Sequence, residues 1–330
     1  KHGYEGHELP PTTVSSLNLG KSKTLAKEYL SFTALLGDVL HKAQDQEKMQ
    51  VILPATEGGE IDGLYSRVIY DILARENMDH VTIISPTLET LPCQSSLCPQ
   101  LFISILAGDL ILAAPPAIRE GLRQRLKSLA SLSMEDLLEA ALEVVRDLRD
   151  VRALKPEAGK VAVLGEPYVL YNAYLNGGVC QEVEKKGKKM ATMPLSEYLC
   201  FLWYTRCENK KERGVVAGYI SQMEQLSAAL GENTPFASSF ADLLASADDL
   251  IPDFAGANGR YRRVKTMDWQ RQGIPCIEVA SLYENAQTVL HLLAGEEDGL
   301  VLRLGFDESG VATMKDRLHS FLYYMERKKD

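Results

Sequence analysis

The strongest constraint on the fold is an alternation of short apolar strand patterns with helical patterns, which occurs twice along the chain. The first occurrence places the helical pattern "GEIDGLYSRVIYDILAREN" between the strand patterns "MQVILPAT" and "DHVTIISPT". From Lys160 the alternation restarts, with strand patterns "KVAVLGE", "KKMATMPL", "GIPCIEVAS" and "DGLVLRLGF". Strand–helix–strand order favours parallel pairing and a buried sheet. The sequence therefore predicts an α/β fold, with two Rossmann-like parallel-sheet units joined by helices.

A length of 330 residues favours more than one structural unit. We expect an N-terminal arm and helix over residues 1–45, a first α/β unit with a helical bridge over residues 46–158, and a second α/β unit over residues 159–330. Residues 1–24 are polar and rich in turn formers, which predicts an extended arm. The last helix of the bridge is predicted to begin after Ser133, because a serine cap and an acidic first turn favour a helix start.

Composition excludes several classes of protein. The net charge of −9 argues against bulk nucleic-acid binding, which normally needs a basic face. No apolar run approaches the roughly 18–20 residues of a membrane span, and the first residues lack the apolar core of a signal peptide. The six cysteines contain no Cys-x-x-Cys pair. We therefore expect a cytoplasmic protein with reduced thiols and with no nucleic-acid or membrane partner, expressed as part of a longer gene product.

The turn "GEPYVLYN" follows the first strand of the second unit. It lacks the Gly-x-Gly-x-x-Gly pattern of dinucleotide folds and the Lys-Ser/Thr of a P-loop, and Pro167 removes a backbone donor that a phosphate would need. Ligands of open α/β sheets bind at the carboxyl edge of the strands. Four residues are predicted to point toward that edge: Glu166, Tyr168, Tyr171 and Asn172. The alternative is a tight turn whose tyrosines pack on the bridge helices.

The segment "FAGANGRYRRVK", residues 254–265, concentrates positive charge. Its glycines and Asn258 favour a loop. Arg260, Arg262 and Arg263 place three guanidinium groups within four residues, and arginine suits bidentate capture of phosphate or carboxylate. We interpret the segment as a contact for a nucleotide-like 3′-phosphate or an acidic partner. The alternative is a surface loop that forms salt bridges with nearby carboxylates.

Two further segments are weaker candidates. The turn "ATEGGEIDGLYSR" carries acidic residues that repel phosphate, so the choice there lies between a metal site and a solvated acidic turn. Cys93 and Cys98 lie five residues apart, which is unusual for metal ligands and is typical of a loop with incidental thiols. They are the weak metal candidates of this chain.

Seven segments, taken in order, resemble one known family. The similarity to the 2-hydroxyacyl-CoA dehydratase component family, and in particular to the dehydratase-like region of large acyl-CoA dehydratase activase-related proteins, covers most of the chain. The segments are "HELPPTTVSSLNLGK", "GLYSRVIYDIL", "GEPYVLYN", "MPLSEYL", "GANGRYRRVK", "VASLYENA" and "LGFDESGVATMKDRLHSFLYY". The resemblance implies a pair of Rossmann-like units.

The resemblance also implies a chemistry. In working dehydratases an activase uses ATP to deliver one electron to a cysteine-held four-iron four-sulfur cluster, and water leaves the substrate through a ketyl radical. The strand-end turns of this chain, "TEGGEIDG", "GEPYVLYN" and "LYENA", contain no cysteine, and Cys276 falls inside a strand pattern. A cluster here would therefore have to share ligands with another chain or segment, and the cofactor is left unassigned.

We therefore expect a dehydratase-like module of acyl-CoA metabolism that is non-catalytic on its own, and no catalytic residue is assigned. A cleft is predicted between the turns at residues 58–63, 165–172 and 281–285, the last of which carries Tyr283, Glu284 and Asn285. It would dock or regulate other modules of a longer chain or an ATP-dependent activase, or bind an acyl-CoA through the arginine segment. The alternatives are an iron–sulfur 2-hydroxyacyl-CoA dehydratase or acyl-CoA reductase subunit that uses an ATP-driven electron donor, and a structural spacer.

Overall fold

The computed structural model of the chain describes residues 8–25, 27–46, 48–56, 61–129, 131–154, 159–250, 257–284, 300–307 and 311–327. Within these ranges no helix is both long enough and apolar enough to cross a membrane. The described helices are α1 Val14–Lys21, α2 Leu30–Ala43, α3 Tyr65–Arg75, α4 Leu91–Gln94, α5 Cys98–Ala113, α6 Pro116–Ser128, α7 Met134–Leu154, α8 Pro167–Leu170, α9 Val179–Lys185, α10 Leu195–Arg206, α11 Lys210–Leu230, α12 Phe240–Leu250, α13 Ala257–Arg271 and α14 Val311–Arg327.

The described strands form two sheets in which every pairing is parallel. The strands are β1 Met49–Ile52, β2 Val81–Ile84, β3 Lys160–Gly165, β4 Lys189–Thr192, β5 Cys276–Ser281 and β6 Val301–Phe306. Strands β1 and β2 form one sheet, and the other has the order β4-β3-β5-β6. Each strand lies within one of the six predicted strand patterns. The predicted fold class, α/β with two Rossmann-like parallel-sheet units, is confirmed.

The four-stranded sheet has its two central strands, β3 and β5, almost entirely buried. Continuous apolar runs are typical of parallel strands that are covered on both faces. At the end of β3 the backbone approaches β5 so closely that a Cβ on Gly165 would lie 1.8 Å from the Val279 carbonyl oxygen. Only glycine fits there, and the carboxyl ends of the two central strands are brought together as a result.

The two-stranded sheet is covered by α2 and α3. Phe32, Leu36 and Val39 of α2 share a small hydrophobic core with Ile69 of α3 and Val51 of β1. The larger core joins the four-stranded sheet to helices of the predicted bridge, which form as α5, α6 and α7. The start of α7 is capped as expected, because the Ser133 hydroxyl accepts a hydrogen bond from the Asp136 backbone N–H at 3.2 Å. The domain limits proposed from the sequence stay a prediction.

The prediction of an extended N-terminal arm is wrong where the structure describes it, because residues 14–21 form α1. Thr13 caps this helix by accepting a hydrogen bond from the Ser16 N–H at 3.1 Å, which satisfies a free donor of the first turn. The helix then crosses α2 at glycines. A Cβ on Gly20 would lie 2.0 Å from the Thr33 carbonyl oxygen, and one on Gly37 would lie 2.0 Å from that of Ser16. The two backbones are therefore in direct contact.

Three local predictions are corrected. The arginine segment is not a loop from Ala257 onward, because those residues belong to α13, and the stretch after Tyr171 is a turn over residues 171–178 that becomes helical only at Val179. Residues 91–94, expected to belong largely to a loop, form one helical turn. The stretch between the strand patterns "GIPCIEVAS" and "DGLVLRLGF", for which the alternation predicts a helix, falls mainly outside the described residues, as do residues 57–60 of the acidic turn and residues 254–256 of the arginine segment.

Candidate functional site

The carboxyl edge of the four-stranded sheet has a topological switch point between β3 and β5. Strand β4 lies on one side of β3, and β5 lies on the other, so the connections leave the two central strands in opposite directions. In open parallel sheets this is where ligands bind. Glu166 follows β3 directly, and its Oε2 atom accepts a hydrogen bond from the Ser281 N–H at 2.8 Å. The predicted orientation of Glu166 toward this edge agrees with that contact.

The first unit reaches the switch point through the start of α2. The Ser31 N–H donates to the Ser281 Oγ atom at 3.3 Å, and the Ser31 hydroxyl lies 3.1 Å from the Tyr65 hydroxyl. Ser31 and Ser281 are both buried. The edge thus combines Ser281 after β5 with Ser31 at the start of α2, and the predicted cleft stays a prediction.

Tyr168 and Asn172 form part of the same inter-unit contact. The Tyr168 hydroxyl donates to the Asp38 Oδ2 atom at 3.2 Å, and the Asn172 amide donates to the Thr12 hydroxyl at 2.7 Å. Thr12 in turn donates to Asp38 at 2.6 Å. Burial, reinforced by the Asp38 carboxylate, raises the pKa of Tyr168 well above its usual range. These side chains hold the two units together, so this part of the predicted cleft is occupied by protein.

Tyr171 lies apart from that group. Its hydroxyl donates to the Met193 carbonyl oxygen at 2.5 Å, just beyond β4. Burial raises its pKa strongly, with a further contribution from the Asp109 carboxylate. Tyr171 as a whole is 37 % exposed, so its hydroxyl end is anchored at Met193 while part of the residue faces solvent.

The centre of the site is the Arg262 guanidinium, which is fully buried between two carboxylates. Its Nε donates to Glu278 Oε1 at 3.0 Å, and its Nη1 lies 2.7 Å from both carboxylate oxygens of Glu284. Asn258 donates to Glu284 at 3.1 Å, and Arg303 approaches Glu278 at 3.3 Å. A buried charge needs such partners to offset its lost hydration. The arginine is therefore held inside the protein, at the end of β5.

Glu284 is a carboxyl group at this edge whose protonation is strongly shifted. Burial raises its pKa to about 7, and the Glu166 and Glu278 carboxylates contribute in the same direction, while Arg262 opposes the shift. A carboxylic acid with a pKa near neutrality can give or accept a proton at physiological pH. Perturbed groups of this kind are concentrated at functional sites.

The other predicted site residues are distributed differently. Arg260 is buried, with its Nε atom donating to the Ala247 carbonyl oxygen at 3.2 Å and its guanidinium paired with Asp248. Arg263 is also buried, and Tyr283 is exposed at the end of β5. Asn285 lies outside the described residues. The structure thus places the three arginines inside a helix, where none forms a solvent-facing patch. Their role as a phosphate contact stays a prediction.

Two residues of the switch point, Glu278 and Ser31, were not singled out from the sequence, and Ser281 was included only as the first residue of a predicted cleft turn. One signal was present, because Glu278 is a charged residue in the middle of an otherwise apolar strand pattern. Such a residue requires a buried cation as its partner. The serines carried no signal of this kind, since their role depends on a contact across 250 residues of sequence.

The cysteines do not fit the iron–sulfur cluster that the resemblance implies. All six lie within the described residues, and none follows β1, β3 or β5 at the carboxyl edge; Cys276 is the first residue of β5 and lies at the opposite edge. A four-iron cluster requires several converging thiolates. In the described part of the chain no three His, Cys, Asp or Glu side chains are grouped to hold a metal. No step of chemistry is therefore assigned to a cluster.

Searches of the chain against family models, curated proteins and solved structures found no match. The family resemblance accordingly depends on the ordered sequence segments alone. The geometry of the switch point is therefore the structural basis for inferring a function.

Proposed function

We propose that the chain is a dehydratase-like module of acyl-CoA metabolism that binds an acyl-CoA-like ligand at the switch point and is non-catalytic on its own. The observation that supports this most directly is Glu284, a carboxyl group with a pKa near neutrality at the carboxyl edge of a parallel sheet. The ordered sequence segments supply the ligand class. A cytoplasmic location is part of the same proposal.

The chemistry of the edge suits a thioester that carries a hydroxyl group. Protonated Glu284 offers a hydrogen-bond donor to a carbonyl oxygen, and its ionised form accepts from a hydroxyl. Arg262 and Asn258 fix the carboxyl group in place. Arg262 is a positioning residue in this proposal, because both of its faces are already engaged by carboxylates.

The placement of the cysteines favours binding over turnover. A dehydratase subunit of this family would need a thiolate set at the strand ends, and the thiols of this chain lie elsewhere. The acyl-CoA site would then serve to sense ligand, or to present it to other modules of a longer chain or to an ATP-dependent activase. Those partners belong to the proposal.

Isothermal titration with butyryl-CoA, a 2-hydroxybutyryl-CoA and free CoA tests the proposal. We expect the two thioesters to bind more tightly than free CoA. Because a bound acyl group further desolvates Glu284 and raises its pKa, binding near neutral pH should take up protons, and the heat should depend on the ionisation enthalpy of the buffer. Glu284→Gln should abolish this buffer dependence.

Glu135→Gln is the matched control, because Glu135 is an exposed carboxylate in the first turn of α7. It should bind like the unaltered protein. Equal affinity for free CoA and the thioesters, or proton uptake that persists in Glu284→Gln, refutes the assignment of this edge as the acyl site.

A further inference from the structure

A cavity of about 700 Å³ lies between α4, the end of α10 and the start of α11. Small-molecule sites typically occupy roughly 300–1,000 Å³. The cavity belongs to different elements from the switch point, which is built on β3, β5 and α13. Its lining is polar and includes Glu89, Arg206, Glu208 and Glu212 together with the thiols of Cys93 and Cys207.

Arg206 is the residue that requires explanation. It ends α10, and its Nε atom is buried yet donates to no acceptor among the described residues. No hydrogen bond or ion pair joins its guanidinium to any part of the chain that the structure describes. An unsatisfied buried donor costs roughly 1–3 kcal/mol, and more when it is charged. An arginine in this state is suited to a bidentate carboxylate or phosphate.

The charge of the remaining lining selects between those two anions. Three glutamates and one arginine line the cavity, so negative charges exceed positive ones by two. A dianionic phosphate would be repelled by this lining. A ligand with one carboxylate and additional ammonium groups satisfies both signs, because the carboxylate can pair with Arg206 while the ammonium groups pair with the glutamates.

Of the glutamates, Glu208 is the better partner for an ammonium group. The Glu212 side chain is already engaged, since its Oε2 atom accepts a hydrogen bond from the Glu208 N–H at 2.9 Å. The Glu208 side chain is exposed. Its carboxylate can therefore approach a ligand without disrupting the start of α11.

We propose that this cavity binds a basic α-amino acid, with the ligand carboxylate on Arg206 and ligand ammonium groups facing Glu208 and Glu212. The site is independent of the acyl-CoA proposal, because it shares none of the switch-point residues. Cys93 lies at the rim of the cavity and is exposed, so a bound ligand should shield its thiol.

Isothermal titration with three related probes tests the assignment. L-lysine carries a carboxylate and two ammonium groups, cadaverine lacks the carboxylate, and 6-aminohexanoate lacks the α-ammonium group. We expect L-lysine to bind most tightly. Arg206→Gln should weaken L-lysine binding roughly ten- to hundredfold, as expected for the loss of a charged hydrogen-bond pair, and should leave cadaverine binding intact or tighter because a repulsive cation is removed.

Glu208→Gln should weaken cadaverine and L-lysine together. The control is Arg213→Gln, since Arg213 is an exposed arginine of α11 that packs over the Tyr204 ring and does not line the cavity. It should bind L-lysine like the unaltered protein.

Thiol labelling supplies a second readout. L-lysine should slow maleimide modification of Cys93, which is exposed and lines the cavity. The proposal is overturned if no probe binds, if cadaverine binds as tightly as L-lysine, or if Arg206→Gln leaves L-lysine affinity intact. Unchanged Cys93 labelling at saturating L-lysine places the ligand elsewhere and also overturns it.

Discussion

Replacing Arg262 with methionine should produce a large and pH-dependent loss of stability. The guanidinium is fully buried and bonded to Glu278 and Glu284, and methionine retains an apolar stem of similar reach without the charge. Removing one partner of a buried ion pair typically costs about 3–5 kcal/mol. Because whole domains are stable by only about 5–15 kcal/mol, Arg262→Met should remove a substantial part of the free energy of unfolding.

Most of the lost stability should come from the Glu284 carboxylate, which is left with few partners. After the substitution Glu278 still has Arg303 at 3.3 Å, whereas Glu284 retains only the Asn258 amide among the contacts described above. Without the guanidinium, which holds the pKa of Glu284 down, that pKa should rise further above about 7. The variant therefore becomes more destabilised as pH rises through neutrality, and acidification should restore part of its stability.

Urea unfolding followed by far-UV circular dichroism measures the effect. The control is Arg317→Met on the exposed surface of α14, which should change the free energy of unfolding by less than about 0.5 kcal/mol. In the double variant Arg262→Met/Glu284→Gln, the neutral amide replaces the carboxylate that has lost its arginine partner. At least half of the lost free energy of unfolding should therefore be recovered. A cost below about 1 kcal/mol for Arg262→Met, or a double variant no more stable than the single one, refutes this account of the site.

Three further predictions concern other parts of the structure, and each is measured by urea unfolding. Gly37→Ala should lower the free energy of unfolding by about 1–3 kcal/mol, because the added Cβ would lie 2.0 Å from a backbone oxygen. Gly218→Ala on α11, where nothing lies within 4 Å of the added Cβ, should raise it by about 0.5–1 kcal/mol. Glu284 should contribute a loss of stability as pH rises from its ordinary pKa of 4.5 through about 7, since folded Glu284 holds its proton more tightly than unfolded Glu284. Glu284→Gln should therefore have a shallower slope in this range, and buried Asp109, whose pKa is raised to about 6, should supply part of the slope that remains. Asp109→Ala should lower the free energy of unfolding by about 2 kcal/mol or more, because this buried carboxylate accepts hydrogen bonds from the Leu195 and Ser196 N–H groups at the start of α10. An unchanged unfolding midpoint would contradict that role.

The central strands β3 and β5 were predictable because burial on both faces leaves a direct trace in the sequence. The pattern "KVAVLGE" is nearly all apolar, and β3 is buried along its length. Helix α13 left no such trace, because its buried side chains include Arg262 and Lys265. Their burial depends on carboxylates from other segments, such as Glu278 and Glu197. Local propensity gives little sign of a helix that buries charged side chains beside the apolar Tyr261, Val264 and Trp269.

The sequence indicated where the candidate site residues lie along the sheet, but it indicated only some of those residues and few of their partners. The rule that ligands bind where parallel strands end indicated Glu166 and Glu284, and both lie at the switch point. The same rule also selected Tyr168 and Asn172, but it could not show that these side chains bind Asp38 and Thr12 from the N-terminal part of the chain. Long-range partners of this kind become visible only in three dimensions.

The hydrogen bond between Ser31 and Ser281 spans 250 residues of sequence and has a consequence for biosynthesis. A chain emerging from the ribosome can assemble the small core of α2, α3 and the first sheet early, since those contacts are comparatively local. The start of α2 must wait for its partner, however, until β5 has been translated. The Asp38 side chain of α2, by contrast, can bind Tyr168 as soon as α8 has been translated. Helix α2 therefore docks on the second unit in two steps, and the second step is delayed until β5 is complete.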